Sequence, residues 1–221
     1  TAATALRGNL RVDASFTLYP SAQGNLSLLA GDSVFLNGAV YLADTDAASL
    51  PGIGNPKSLT PNSTDLEQVK DQLSPRSVAE NGGLAAVPVH LVNDGLLARV
   101  VARTGDIESR NDSPLFLSRP AEIVAGRDLR NLDLIIEHAD PSQVSLLRAG
   151  ERMQYPAPRK PTSESSGAGS LIPGRNGVKI WGPGRLLVTA GGDIDLGTAD
   201  GIVSQGDEVN PALLGGGASV S

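Results

Sequence analysis

One short phrase, an aliphatic run that ends in Ala-Gly and is followed by an aspartate, returns several times along this chain. The clearest copies lie at residues 28–36, 123–129 and 187–197, and degenerate copies lie at 100–107 and 146–153. Apolar and polar residues alternate around the phrase, which indicates short strands with one buried face, and the glycine supplies the backbone freedom of a sharp corner. Repetition at intervals of roughly 20 residues is typical of a solenoid built from copies of one unit.

Residues 26–42 show how one turn of such a solenoid is built. Three short strands are predicted at 26–28, 34–36 and 40–42, each separated from the next by a glycine. Three strands with three corners predict one turn of a triangular β-helix. Residues 10–18 alternate strictly between apolar and polar, which predicts a single half-buried strand. We therefore expect an all-β parallel solenoid in which residues 1–221 form one segment of a larger protein.

Two excursions interrupt the strand pattern. Residues 44–83 contain Asn-Pro, Thr-Pro and Ser-Pro pairs, which predict an inserted loop. Within it, Asp65–Leu73 places apolar residues on one helical face and predicts a short amphipathic helix, either a recognition element or a cover for apolar surface. Residues 155–176 are rich in Pro, Gly and Ser and predict a flexible loop.

Composition excludes several classes of function. The chain has no cysteine, which excludes a disulfide scaffold and thiol chemistry. Its net charge of −6 and the lack of a basic stripe in the sequence argue against nucleic acid and anionic membranes as partners. No apolar run approaches the roughly 18 residues of a transmembrane helix. Aromatic residues make up only 3%, so the core must be built from Leu, Val, Ile and Ala.

The repeat phrases resemble those of a known family. The two clearest matches are Ala125–Leu129 and Ala190–Gly197. Further phrases that match the family, in the same order, lie at residues 182–186, 201–206, 210–211 and 217–219. Together they resemble filamentous-haemagglutinin-like large exoproteins of two-partner secretion systems, and residues from about 84 onward resemble the C-terminal part of the β-helical region.

The resemblance implies a right-handed parallel β-helix that is secreted to the bacterial cell surface through an outer-membrane transporter partner. It further implies a role in adhesion or biofilm formation, with a glycan, an exopolysaccharide or a host surface as ligand. No catalytic motif is carried over, because the family shares none. A chain of this kind is expected to be an adhesin segment without catalytic residues, cofactor or bound metal.

Two other function classes stay open. Parallel β-helices include polysaccharide lyases and glycosidases, which use clustered acids with or without arginine. The residues that could play that part in this chain are Asp133, Glu137 and His138 on one strand, with Arg127 or Arg130 nearby. Asp133 and Glu137 are predicted to point outward together, where they could equally form a solvated face. A purely structural stalk is the third possibility.

Paired carboxylates and the two histidines raise the question of a metal. Asp193 and Asp195 follow two glycines, a pattern that is similar to calcium-binding nonapeptide repeats but lacks a tandem copy. The alternative is that these corner aspartates cap backbone amides of their own turns, as the recurrence of aspartate after the corner glycine at positions 32, 106 and 128 favours. His90 and His138 have no spacing that indicates a metal site.

A few residues could contact a glycan or carry one. An exposed Trp181 or Tyr155 could stack on a sugar, although a tryptophan that packs at a corner is the competing interpretation. Asn25 and Asn62 match the acceptor pattern for glycosylation, and Asn62 is the better placed of the two in its predicted loop.

Overall fold

The computed structural model describes residues 1–18, 25–42, 95–110, 113–156, 177–197, 199–207 and 213–221. Every regular element in those ranges is a β-strand, and the strands form three parallel sheets, which confirms the all-β prediction. The predicted insertion at 44–83 with its helix lies outside the described residues, as does all but the start of the predicted loop at 155–176. Among the described residues there is no helix that is long and apolar enough to cross a membrane.

The nineteen strands in the described part of the chain are divided among sheets A, B and C, and within each sheet neighbouring strands follow one another in chain order. Sheet A contains β1 (Ala2–Ala5), β4 (Ser27–Ala30), β7 (Ala98–Ala102), β10 (Ala121–Ala125), β13 (Val144–Ala149), β16 (Arg185–Ala190) and β19 (Ser219–Val220). Sheet B contains β2 (Leu10–Val12), β5 (Val34–Leu36), β8 (Ile107–Ser109), β11 (Leu129–Arg130), β14 (Met153–Gln154) and β17 (Ile194–Asp195). Sheet C contains β3 (Phe16–Leu18), β6 (Val40–Leu42), β9 (Leu115–Leu117), β12 (Asp133–Glu137), β15 (Gly177–Trp181) and β18 (Ile202–Gly206).

The chain visits the three sheets in turn, so each sheet takes every third strand. We call three successive strands, one from each sheet, a rung, and each rung stacks in parallel register on the one before. Equivalent positions in successive rungs are 24 residues apart in many pairs, such as Leu10 and Val34, and closer in others, such as Leu115 and Leu134. This arrangement is consistent with a parallel β-helix or solenoid, and the predicted strands at 26–28, 34–36 and 40–42 correspond to β4, β5 and β6.

The prediction of one strand over residues 10–18 is wrong. The segment is divided into β2 and β3, which belong to different sheets, and Ala14 is exposed at the corner between them. Ser15 stabilises that corner, because its hydroxyl oxygen accepts a hydrogen bond from the Ala39 amide of the next rung at 2.9 Å. The corner contains three residues, so it preserves the alternation of apolar positions and leaves no trace in the sequence pattern.

The core is built from columns of like residues, because an inward position recurs at the same place in every rung. In sheet B, Leu10, Val34, Ile107, Leu129 and Met153 stack in register and are buried. At the end of the sheet A strands the column consists of alanines only. Burial of each large aliphatic side chain contributes about 2 kcal/mol to the stability of the fold. Backbone hydrogen bonds between parallel strands hold successive rungs at the usual strand spacing of about 4.8 Å.

The glycines after these alanines have a different role from the predicted one. Gly31, Gly126, Gly150 and Gly191 do not have positive φ, so conformational freedom is not what the corner requires of them. A Cβ atom built on each would instead lie 2.0–2.3 Å from a carbonyl oxygen of the preceding rung. Glycine is therefore needed because successive rungs approach closely at this corner.

The corner between sheets A and B is tied together by a ladder of side-chain acceptors. The amide of Ser33 donates to Asn9 Oδ1 at 3.0 Å, and the amide of Asp106 donates to the Ser33 hydroxyl at 3.1 Å. The amides of Asp128 and Arg152 continue the ladder, donating to Asp106 Oδ1 and Asp128 Oδ1 respectively, each at 3.1 Å. The prediction that Asp106 and Asp128 cap their own turns is therefore wrong, because both accept a hydrogen bond from the following rung.

Asp128→Ala is expected to lower the free energy of unfolding by about 2 kcal/mol, because the Arg152 amide and the Gln154 side chain lose their buried acceptor. Asp128→Asn retains an acceptor oxygen and should lose less. The measurement is the urea midpoint of unfolding. Asp32→Ala is the matched control, since Asp32 is exposed at the equivalent corner of another rung. Equal midpoints for the Asp128 and Asp32 variants would contradict a structural role for the ladder.

Candidate functional site

The outward face of sheet B presents one side chain per rung in a straight column. The parallel register aligns Arg11, Phe35, Glu108, Arg130 and Gln154 in that order, and Asp195 ends the column. Adjacent members are separated by the strand spacing of about 4.8 Å. Leu10 and Val12 on either side of Arg11, and Val34 and Leu36 on either side of Phe35, point into the core, so the residues between them face outward. The column is therefore a rigid row of functional groups along the axis of the stack.

Phe35 lies between two guanidinium groups, that of Arg11 in this column and that of Arg110 immediately after β8. The Arg110 guanidinium carbon is 4.1 Å from the centre of the Phe35 ring, and that of Arg11 is 5.6 Å away. Arg11 belongs to the rung before Phe35 and Arg110 to the rung after it. Cation–π attraction of this kind holds both arginines over the ring.

The two arginines of this stack differ in how far their charge is neutralised. Arg110 Nε and Nη2 both donate to Glu108 Oε2, at 2.8 and 2.6 Å. Arg11 has only a long contact of 3.6 Å between its Nε and Asp13 Oδ1, and its side chain is 53% exposed. Within the described residues, the two Nη groups of Arg11 have no hydrogen-bond partner. The stack therefore positions one guanidinium whose donors face solvent.

Three further arginines continue this surface, Arg130 within the column and Arg127 and Arg152 at the corner that precedes the sheet B strands. Arg127 binds Asp106 through two hydrogen bonds of 2.9 and 2.8 Å. Arg152 Nη2 and Arg130 Nη1 approach Asp128 Oδ2 at 3.2 and 3.8 Å. Both aspartates are buried, whereas the Arg127 and Arg152 side chains are 53% and 51% exposed. The acids thus lie beneath the surface and the guanidinium groups form it.

Burial and hydrogen bonding act in opposite directions on these groups. Burial is the largest single effect on the pKa of Asp106 and raises it, but the hydrogen bonds from Arg127 and from the Asp128 amide, with the positive charges of Arg127 and Arg130, lower it overall. The hydrogen bond to Asp106 raises the pKa of Arg127 further above its ordinary value. Both groups are therefore charged, and we name Arg11, Arg110, Arg127, Arg130 and Arg152 the arginine stripe.

The residues proposed for polysaccharide cleavage do not converge. Asp133 and Glu137 lie on β12 in sheet C, where Asp133 is half-buried and Glu137 has no exposed surface. The solvated acidic face expected there is therefore wrong for Glu137. Arg127 precedes β11, at the corner between sheets A and B, where it binds Asp106. Arg130 points outward from sheet B. The two acids of sheet C and the two arginines at sheet B consequently belong to different faces.

His138 points into the core and is fully buried. Its Nδ1 lies 3.1 Å from the Pro183 carbonyl oxygen, which can only accept, so Nδ1 carries the proton. Its Nε2 lies 2.7 Å from the Ser145 hydroxyl, which donates to it and also accepts from the Ala121 amide at 3.0 Å. Burial is the main cause that lowers the pKa of His138 to about 4, so the ring is neutral and links the fourth rung to the fifth.

The predicted sugar-stacking aromatics are both buried. Trp181 packs against Phe116, with ring centres 5.7 Å apart, and against Leu213, and its Nε1 donates to Gln205 Oε1 at 2.8 Å. The Tyr155 hydroxyl donates to the Leu132 carbonyl at 2.9 Å, and burial raises its pKa. The competing interpretation of Trp181 as a packing residue is thereby confirmed.

The remaining predicted sites have structural partners or lie elsewhere. Asp193 and Asp195 are exposed, and Asp195 Oδ1 accepts from the Gly197 amide at 2.9 Å, so this residue does cap its own turn. The described residues contain no group of three or more His, Cys, Asp or Glu that could hold a metal ion. Asn25 uses its side-chain amide to donate to the Leu97 carbonyl at 2.6 Å. His90 and Asn62 lie outside the described residues.

Sequence reasoning named Arg127 and Arg130 only as possible partners of the sheet C acids, and it missed Phe35 and the other members of the stripe, Arg11, Arg110 and Arg152. A usable signal was present: Phe35 occupies the outward position between Val34 and Leu36, where a polar residue is the norm. Arg11 lies 24 residues earlier, at the equivalent position of the preceding rung. Arg110 could not be assigned in this way, because residues 43–94 separate its rung from that of Phe35.

Comparison of the chain with protein-family models, curated proteins and solved structures gives no match in any of the three. The class of the molecule is therefore defined by its own architecture, three parallel sheets of stacked strands that carry an arginine-lined face.

Proposed function

We propose that this chain is part of a secreted bacterial adhesin of the filamentous-haemagglutinin-like kind, folded as a right-handed parallel β-helix. An outer-membrane two-partner transporter exports the parent protein to the cell surface. The segment attaches to polysaccharide of a host cell, a neighbouring bacterium or a biofilm matrix through the arginine stripe. The repeat phrases support the family assignment, and the stacked parallel sheets support the fold.

The observation that carries the attachment role is the stack of Arg11, Phe35 and Arg110. Cation–π contacts fix the guanidinium groups before a ligand arrives, with distances of 5.6 and 4.1 Å to the ring centre. Donors that are already ordered lose little conformational entropy on binding, which favours affinity. Sugars offer hydroxyl and carboxylate acceptors that match N–H donors of this kind.

Attachment is favoured over cleavage by the placement of the acids. Glycoside hydrolysis requires two carboxyl groups that flank one bond, within roughly 5–10 Å of each other and open to substrate. Glu137 has no exposed surface, and Asp106 and Asp128 are buried beneath their arginines. The exposed groups of the stripe are donors, which bind sugars without providing a general acid.

The test is to pass the chain over immobilised bacterial and host polysaccharides and to measure both retention and newly released reducing ends. Retention without release is the expected result. Phe35→Leu should weaken retention about fivefold, because the ring no longer orients the two arginines. Val101→Leu is the matched control, a half-buried outward aliphatic residue on sheet A, and should leave retention unchanged. Released ends would favour the enzyme, and absence of both signals would favour a stalk.

A further inference from the structure

We infer that the arginine stripe selects an acidic polysaccharide with a carboxylate on successive sugars, which lies along the axis of the stack across the sheet B strands. This inference rests on the proposed attachment function and specifies its ligand. The class of ligand follows from four properties of the stripe: its direction, the chemistry of its exposed donors, its charge balance and the state of the Phe35 ring.

The direction of the stripe favours an extended polymer. Arg11 and Arg130 belong to one register column that runs perpendicular to the strands, in the first and fourth rungs, and Arg110 and Arg152 lie on either side of this column in the third and fifth rungs. Successive rungs are about 4.8 Å apart, a distance comparable to one sugar unit of an extended polysaccharide. A chain laid along this line meets a new side chain at each sugar.

The chemistry of the exposed donors favours carboxylates. The planar guanidinium presents paired N–H groups that match the two oxygens of a carboxylate. Arg11 is the best subsite, because Phe35 holds it in place, its Nη groups face solvent and its Asp13 contact is long at 3.6 Å. A uronate carboxylate can therefore take the Nη pair while the Nε contact to Asp13 persists.

The charge balance disfavours polymers of high charge density. The stripe has five positive charges and contacts four acids, Asp13, Glu108, Asp106 and Asp128, so its surplus is one charge. The whole chain has a net charge of −6. Nucleic-acid binding depends on a large local excess of positive charge. A polymer with one carboxylate per sugar demands less compensation than a glycan with several sulfates per sugar or than a duplex nucleic acid, which carries one charge per about 1.7 Å of its axis.

The Phe35 ring also disfavours single-stranded nucleic acid. Aromatic platforms for bases need an open ring face. Guanidinium groups from the preceding and following rungs lie over the Phe35 ring at 5.6 and 4.1 Å. A base could stack only after an arginine was displaced, together with the hydrogen bonds of Arg110 to Glu108.

The experiment measures binding of the full chain to polygalacturonate, to its fully methyl-esterified form, to dextran sulfate and to poly-dT at physiological salt. We expect polygalacturonate to bind best and its ester at least tenfold more weakly, since esterification removes the carboxylate charge that guanidinium groups recognise. Arg11→Gln combined with Arg130→Gln should weaken polygalacturonate binding about tenfold, and Arg11→Lys about threefold, because lysine keeps the charge but loses the planar fork. Arg148→Gln combined with Arg185→Gln is the control, since both arginines are exposed on sheet A, and should change binding less than twofold.

The possible results distinguish a failure of the acidic-ligand inference from a failure of the proposed attachment function. Equal binding of the esterified and free polymers would overturn the acidic ligand while leaving polysaccharide attachment intact. Tighter binding of dextran sulfate or poly-dT would overturn the carboxylate class. No retention on any polysaccharide, including the wider panel above, would overturn the attachment function itself. Circular dichroism and urea midpoints of each variant verify that altered binding does not reflect loss of fold.

Discussion

Gly150→Ala is expected to lower the free energy of unfolding by at least about 3 kcal/mol, because the added methyl group has no space in the stack. Its carbon would lie 2.0 Å from the carbonyl oxygen of Gly126 in the preceding rung. The Gly126 backbone has little room to move away, because its own amide is hydrogen-bonded to the Ala102 carbonyl of the rung below at 2.8 Å and the two rungs are equally close there. Relief requires separating the rungs, which weakens the 2.9 Å hydrogen bond from the Gly150 amide to Ala125.

Gly8→Ala is the matched control for this substitution. Gly8 lies at a corner of the first rung, its φ is not positive, and a Cβ there would meet no atom within 4 Å. Its urea midpoint should therefore equal that of the parent chain or exceed it slightly, because alanine restricts the unfolded chain. The close approach at Gly150 would be refuted if the two alanine variants unfolded at the same urea concentration with the same slope.

The strands could be predicted because their signal is local. Alternation identifies the inward residues of each strand, and the Ala-Gly phrase marks the corner between sheets A and B. Neither signal reveals a corner that contains no Ala-Gly phrase and preserves the apolar–polar alternation. The pattern over residues 10–18 therefore predicts one strand where the structure has two. The physical reason for glycine also escaped prediction, because the clash at Gly150 involves a carbonyl 24 residues away rather than its own turn.

The candidate site could not be predicted, because it depends on which rung stacks on which. Phe35 and Arg110 belong to successive rungs, but residues 43–94 separate these rungs in the sequence, so a regular repeat spacing does not pair the two residues. Glu137 shows the complementary failure. Alternation correctly places it on the side of β12 opposite Leu134 and Ile136, yet it is buried there. Phe116 and Trp181 form an apolar cluster on this outer side of sheet C, a tertiary feature that a pattern within one strand does not report.

Lowering the pH from 7 to 4 is expected to destabilise the fold by about 3 kcal/mol through His138 alone. Its pKa falls from an ordinary 6.5 to about 4 in the folded protein, mainly because the ring is buried. Between these two values the unfolded chain binds a proton that the folded chain excludes, so stability falls as the pH falls through this window and is unaffected by His138 above it. Protonation would also place a hydrogen on Nε2, against the hydroxyl hydrogen that Ser145 donates to it.

The measurement is the urea midpoint of unfolding at intervals between pH 4 and 7, for the parent chain and for His138→Asn. The variant cannot titrate at this position, so it should be less stable than the parent at pH 7, where it loses part of the network to Pro183 and Ser145, yet lose less stability on acidification. Asp106 and Asp140 also contribute to acid sensitivity, but their lowered pKa values place their effect at lower pH and in both chains alike. The difference between the two profiles therefore isolates His138, and parallel profiles would show that the buried imidazole is not the group that limits stability in mild acid.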